Sequence, residues 1–345
     1  MHYVRKPKVL QFEISSNCNL NCTGCSRTDE QTYSMKGNPL IPKNEFLTLE
    51  KFKDIIEDPV CNELEIIEFC GTIDDPAMHP QFLDMLKFLR KKEIPADVHT
   101  NGSLRTPEFW KEVAKLTKDI PHSKVKFNID GLSDTNHLYR RGSNWNKIME
   151  NAAAFIAAGG NAAWQYIVFD WNAHQIEEAK ELAAEMNFRS FKYRHDRAQS
   201  VSAIEIDNGF VRPEWKPTWQ RLIVKAEQKS AGNKIECFSR ESAMYFIGFN
   251  GNVWPCCFLH NSSWIHLGTL DETKQRFEGN YGKNWNNVHY YTFSDILNSK
   301  FYTEDLYDSW QTEIHGTGCK DRLLRCSQTC TKNSISIGNH TVEKL

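Results

Sequence analysis

The chain has 345 residues, with 40% hydrophobic and 12% aromatic content, which is enough for one large domain and a smaller companion. Its 42 Lys and Arg nearly balance its 44 Asp and Glu, so charge argues against a nucleic-acid or anionic-membrane partner. No signal-peptide pattern opens the chain and no apolar run reaches bilayer length, so the expectation is a cytoplasmic protein in a reducing compartment. There, eleven cysteines read as metal ligands or catalytic thiols before disulfides.

Short apolar runs then alternate with helical patterns. A strand is predicted at 8–15 and a helix at 48–58 with Thr48 as N-cap. The strand at 64–71 is followed by an amphipathic helix at 79–92, with Phe82, Met85, Leu86 and Leu89 on one face. A strand at 96–102 runs into an Asn-Gly turn, and the helix at 106–117 starts with Thr and Pro. Strands at 124–131, 161–170 and 189–195 alternate with helices at 144–160 and 176–188. Strand–helix units of this size imply an α/β fold with a parallel sheet, here a partial (β/α)6 TIM-like barrel over 1–205. Such sheets carry their chemistry at the carboxyl ends of the strands. A Pro-rich polar linker is expected over 206–235, and a small cysteine-rich domain over 236–345.

Three cysteines, Cys18, Cys22 and Cys25, follow the first predicted strand. Structural zinc wants four ligands, so a zinc site would borrow Cys70 or His99 from another strand end. A disulfide leaves one thiol over. An iron–sulfur cube held by three thiolates keeps one iron open for a cofactor or substrate.

A Cys-x3-Cys-x2-Cys loop after the first strand of a βα barrel resembles the radical S-adenosylmethionine (radical SAM) enzymes. That resemblance implies a 4Fe-4S cluster whose open iron chelates S-adenosylmethionine. Reductive cleavage of the sulfonium then yields a 5′-deoxyadenosyl radical that abstracts hydrogen from a substrate C–H bond. Gly24 departs from the family, which usually has a bulky group there. "FCGTIDDPAMHP" (69–80) is similar to the family's Gly-Gly-Glu-Pro run, which implies backbone contacts from Gly71 and Thr72 to the methionine amino group, with Asp74 or Asp75 a weaker match. The plainer reading of either Asp is a helix cap. "HTNG" (99–102) is similar to the family's third-strand turn. "NIDGLSDTNHLYRRGSNW" (128–145) implies Asn128 at the ribose and Arg141 at the methionine carboxylate, with adjacent Arg140 as rival. Asn172 matches a polar position near the cofactor.

"CFSRESAMYFIGFNGNVWPCC" (237–257) is similar to the Cys-x9–15-Gly-x4-Cys start of SPASM and twitch extensions, with Gly251 turning a hairpin. With Cys319, Cys326 and Cys330, this implies a second, auxiliary 4Fe-4S cluster on Cys237, Cys256, Cys326 and Cys330. Cys319 could replace Cys326, and Cys257 could replace Cys256. A structural zinc site on the same cysteines is the plainer alternative. Cys61 and Cys70 read as buried structural thiols.

The resemblance implies an oxidoreductase acting on a peptide or protein side chain, fed by a donor such as flavodoxin or ferredoxin. Cys18 lies so near the start that no leader-binding domain is expected before the barrel. That leaves a separate peptide-binding partner, or a small-molecule substrate such as a sugar, nucleoside or amino-acid derivative. A non-catalytic iron–sulfur electron-transfer protein and a zinc-scaffold module are the competing classes. No acid or base is singled out among Tyr139, Tyr193, His195 and Asp196.

Overall fold

The computed structural model describes residues 4–22, 25, 27, 41–70, 72–195, 235–260, 277–311, 326, 330 and 341–344. The chain forms two compact units. One comprises Met1–Phe12, Leu47–Glu65 and Lys216–Ile337; the other comprises Glu13–Phe46, Ile66–Trp215 and Gly338–Leu345.

The second unit is built on a parallel sheet in chain order: β2 (Ile66–Phe69), β3 (Ala96–Thr100), β4 (Lys124–Asn128), β5 (Ala162–Val168) and β6 (Ser190–His195). A strand β9 (Thr341–Lys344) closes the β6 edge antiparallel, and the order is open rather than a complete barrel. Crossover helices α2 (Phe82–Lys91), α3 (Pro107–Thr117), α5 (Trp145–Ala157) and α6 (Ile176–Glu185) return the chain each time. In α2 the predicted stripe of Phe82, Met85, Leu86 and Leu89 is buried.

Alternation along the strands separates two faces. Val125, Phe127, Trp164, Tyr166 and Phe191 are buried on the helix side. Their rings interlock with α3, α5 and the turn after α6, Trp110 on Phe127 at 5.5 Å, Phe155 on Phe127 at 5.9 Å and Phe188 on Trp164 at 5.4 Å. Each such ring contributes about 1.5–3 kcal/mol of apolar burial. Several intervening positions, His99, Lys126, Asn128, Gln165 and Lys192, are polar.

In the first unit, β1 (Val9–Phe12) runs parallel to β7 (Met244–Ile247), which forms a hairpin with β8 (Val253–Trp254). Gly251 turns that hairpin at φ +81°, and a Cβ there would come within 2.7 Å of the His289 ring. Helix α1 (Leu49–Glu57) is capped by Thr48, whose Oγ1 accepts from Lys51 N at 3.2 Å, and packs Phe52 on Phe12 at 4.9 Å.

The units divide the chain differently from the linear division at 205 and 236. The first strand and helix group with the C-terminal segment, because β1 spends backbone bonds on β7 and Lys8 N donates to Ala243 O at 3.0 Å. The expected linker lies, up to residue 234, outside the described residues.

Candidate active site and auxiliary cysteine cluster

The segment after β1 is anchored before it presents its thiols. Ser15 N donates to Asp74 Oδ2 at 3.0 Å, Ser16 N to Glu45 O at 2.9 Å and Asn21 N to Arg141 O at 3.0 Å. Cys18, Cys22 and Cys25 then line one cavity of about 340 Å³ at the carboxyl ends of the strands. The three thiols sit within one another's electrostatic field. Burial raises the pKa of each, Cys22 to about 12, so this pocket stabilises thiolates only when a cation or cluster compensates them. Donors surround the sulfurs: Leu20 N lies 3.5 Å and Asn101 Nδ2 3.8 Å from Cys18 Sγ. The Cys25 thiol points to Thr72 O at 4.0 Å.

Cys70 and His99 line the same cavity, as a zinc reading required. Yet no three His, Cys, Asp or Glu side chains among the described residues converge on a single-ion site. No disulfide joins the described cysteines. Three thiols sharing one wall of a cavity with room beside them fit a cube with an open corner. His99 is held neutral: burial, then Lys126, lowers its pKa to about 3, and its Nε2 accepts from Lys126 Nζ at 2.9 Å.

Arg140, not Arg141, lines the cavity. The short helix α4 (Asn136–Tyr139) ends with Arg140 at its C-cap, and that termination decides which arginine points inward. Arg140 Nε meets Asp130 Oδ2 at 2.7 Å, with the two side chains 13% and 0% exposed. Burial works against the guanidinium's charge, but Asp130 and then Cys22 more than offset it, so its pKa is raised. Asp130 Oδ1 also accepts from Ile167 N at 2.7 Å. Gly131, at φ +143°, has no room for a side chain: a Cβ would fall 2.2 Å from Thr135 Oγ1 and 2.8 Å from Asn136 N.

Asn128 and Thr72 line the cavity, the buried Thr72 Oγ1 having no hydrogen-bond partner among the described residues. Gly71 and Asp196 lie outside the described residues. Asp75 is a cap, accepting from Ala77 N at 3.1 Å, Asn101 N at 2.8 Å and Thr100 Oγ1 at 3.0 Å. Asn172 is fully buried and holds the end of β5, accepting from Phe169 N at 2.7 Å and donating to Asp130 O at 2.9 Å, so it does not line the cavity. Tyr139 lines the cavity and Tyr193 does not. Asn101 falls in the predicted 99–102 turn, whereas Glu13, Arg27, Gln165 and Arg194 were not singled out by motif. Strand alternation points to Gln165 and Arg194; Glu13 and Arg27 sit beside the cysteine loop.

In the first unit, Cys237 precedes the short helix Phe238–Glu241 and Cys256 follows the β7–β8 hairpin. Glu236 N donates to Cys330 O at 2.7 Å, and Cys330 N to Cys326 O at 2.9 Å. Burial, then Cys257, Cys326 and Cys237, raises the Cys256 pKa, and a bond to Cys237 raises that of Cys330. Five cysteines thus share one neighbourhood; Cys319 lies outside the described residues.

A family model described as the radical SAM superfamily matches residues 12–183, and one described as an iron–sulfur cluster-binding SPASM domain matches 237–331. The tungsten-containing aldehyde ferredoxin oxidoreductase cofactor-modifying protein of Pyrococcus furiosus is 32% identical over 136 residues, 39% of this chain and 34% of its own. Fe-coproporphyrin III synthase of Methanosarcina barkeri is 28% identical over 135 residues, 39% and 30% of the two chains. The match spans about a third of the length of these curated relatives. Among solved structures, anSMEcpe with bound AdoMet superposes with a TM-score of 0.56 at 16% identity, covering 94% of this chain and 86% of its own. Streptococcus suis SuiB bound to precursor peptide SuiA gives 0.52 at 14% identity, covering 78% and 66%. At these identities the likeness is one of fold.

Proposed function

Since the chain belongs to the radical SAM superfamily and carries a SPASM iron–sulfur domain, we propose that it is an oxidoreductase that breaks an unactivated C–H bond of a peptide side chain. It is an enzyme of 4Fe-4S and S-adenosylmethionine chemistry, not the electron-transfer or zinc-scaffold module also compatible with its composition. When bound, the cluster and S-adenosylmethionine supply an electron, a sulfonium to be cleaved and a hydrogen-abstracting carbon radical.

The observation that carries this reading is three thiols and one buried arginine on the walls of a single cavity. Cys18, Cys22 and Cys25 would hold the cluster. Arg140 would receive the methionine carboxylate through its planar donors, held at the right angle by Asp130. Asn128 would serve the ribose, and the Thr72 hydroxyl with the 71–72 backbone the amino group. Asn101 and Leu20 N, donating toward Cys18, would favour its thiolate. Cys237, Cys256, Cys326 and Cys330 would hold the auxiliary cluster, which would supply an acceptor for the electron left on the substrate. A flavodoxin or ferredoxin would reduce the first cluster.

The peptide reading draws on the fold neighbours solved with bound peptides. A small-molecule reading is favoured instead by the two curated relatives, whose names point to a cofactor and to a coproporphyrin product. Anaerobic reconstitution followed by iron and sulfide counting tests the core proposal. Wild type should hold about eight irons and the Cys18/Cys22/Cys25→Ala variant about four, since each cube holds four. Dithionite-reduced wild type should form 5′-deoxyadenosine and the variant none. Four irons in wild type would remove the auxiliary cluster, and absence of 5′-deoxyadenosine would remove the radical chemistry.

A further inference from the structure

Barrel interiors are ordinarily filled by branched apolar side chains. The polar face of β4, β5 and β6 is built otherwise. Register sets Asn128 beside Gln165 and Gln165 beside Lys192, with Ile167 beside Arg194 one step further on. These five line a side cavity of about 60 Å³, and all but Lys192 also line the cysteine cavity, so the two spaces adjoin. Toward the amino end of β4 the same face carries Lys126 and Lys124.

Carboxylates on this face are already committed. Asp97 is shared by Lys124 at 3.3 Å and Lys126 at 2.8 Å, and Glu68 stands opposite it in register on β2. Asp130 pairs with Arg140 at 2.7 Å, and its field also reaches Arg194. Across the cavity, Asp74 and Asp75 accept from backbone N–H groups. Among the described residues no carboxylate lies within ion-pair distance of Lys192 or Arg194. Burial and then the neighbouring Lys126, Arg194 and Lys124 lower the Lys192 pKa, and only Asp97 opposes them. Lys192 is half-buried and Arg194 exposed beside it, so the two present like charges at the cavity rim that a bound anion would bring together.

We propose that this wall is the substrate's anion site, with Lys192 and Arg194, assisted by the neutral donor Gln165, holding a carboxylate or phosphate group of the substrate in the side cavity beside the cysteine cavity. This rests on the radical SAM reading, which assigns the S-adenosylmethionine carboxylate to Arg140 and leaves Lys192 and Arg194 without a role.

The test is calorimetric titration of inorganic phosphate and, separately, succinate into reconstituted enzyme saturated with S-adenosylmethionine. Binding by phosphate alone assigns a phosphoryl group, and binding by succinate alone a carboxylate. Lys192→Gln and Arg194→Gln should each weaken the bound anion on the order of tenfold or more. Lys192→Arg should restore binding, and Lys8→Gln, at an exposed lysine paired with Glu65, should leave it unchanged. Iron content equal to wild type certifies that the variants fold. The proposal is overturned if neither anion binds, if both Gln variants bind as wild type does, or if binding occurs only without S-adenosylmethionine. Absence of 5′-deoxyadenosine in the same preparation would sink the radical reading by itself, because the titration needs no turnover.

Discussion

Replacing Arg140 by Gln separates the cavity's two arginine candidates. At 2.7 Å, the Arg140–Asp130 attraction is about 6 kcal/mol gross at an effective dielectric of about 20. Most of that is offset by desolvation, so the loss is governed by what remains: a fully buried Asp130 without its cation. Breaking such a pair from one side costs about 3–5 kcal/mol. Burial already raises the Asp130 pKa and Arg140 is the main counterweight, so in the variant Asp130 takes up a proton and the loss falls near the lower figure. A charge-assisted contact to the methionine carboxylate is worth about 1.5–3 kcal/mol, or roughly 10- to 150-fold in affinity. Arg140→Gln should therefore lower both unfolding free energy and S-adenosylmethionine affinity. Arg141→Gln should change each by less than about 1 kcal/mol. Equilibrium dialysis of labelled S-adenosylmethionine into reconstituted enzyme, beside urea denaturation, measures both. Loss of binding in Arg141→Gln with retention in Arg140→Gln would refute the assignment.

Gly131→Ala should destabilise the α4 loop by about 3 kcal/mol or more, because backbone atoms block the new Cβ, and it should weaken S-adenosylmethionine binding with Cys18, Cys22 and Cys25 intact; wild-type denaturation and dialysis curves would contradict this. Glu13 and Asp74 have pKa values raised by burial, so their contribution to stability is complete below the unfolded carboxyl range near about 4 and is lost as pH rises through the folded values. Glu13→Gln should flatten the fall of unfolding free energy as pH rises above the unfolded carboxyl range, by up to about 1.4 kcal/mol per pH unit; an unchanged slope in urea titrations would count against it. In the auxiliary cluster, Cys330→Ala should remove about four irons and Cys257→Ala none; the reverse pattern in iron analysis would reassign the ligand.

Much of this protein was legible in linear order. The α2 stripe, the Thr48 cap, the alternation of strands with helices and the Gly251 hairpin each depend on residues close in sequence, and each is present. Both cysteine groups were visible by spacing, Cys18, Cys22 and Cys25 on one short loop and Cys237 and Cys256 on either side of the Gly251 hairpin. The Asp75 cap was visible too, since a cap and the N–H it serves are neighbours.

What lay beyond the sequence was direction. Arg140 and Arg141 are adjacent, and only the end of α4 decides that Arg140 faces Asp130 and the cavity. Asn172 resembles a cofactor contact by position, yet its amide is consumed by the end of β5. That β1 pairs with β7, more than two hundred residues away, cannot be read locally, because a strand's hydrogen-bonding edge carries no label for its partner. Lys192 and Arg194 read as ordinary strand cations one at a time. Registered beside Gln165 and Ile167 they form one wall, because the sheet converts residues far apart in the chain into neighbours on a single face.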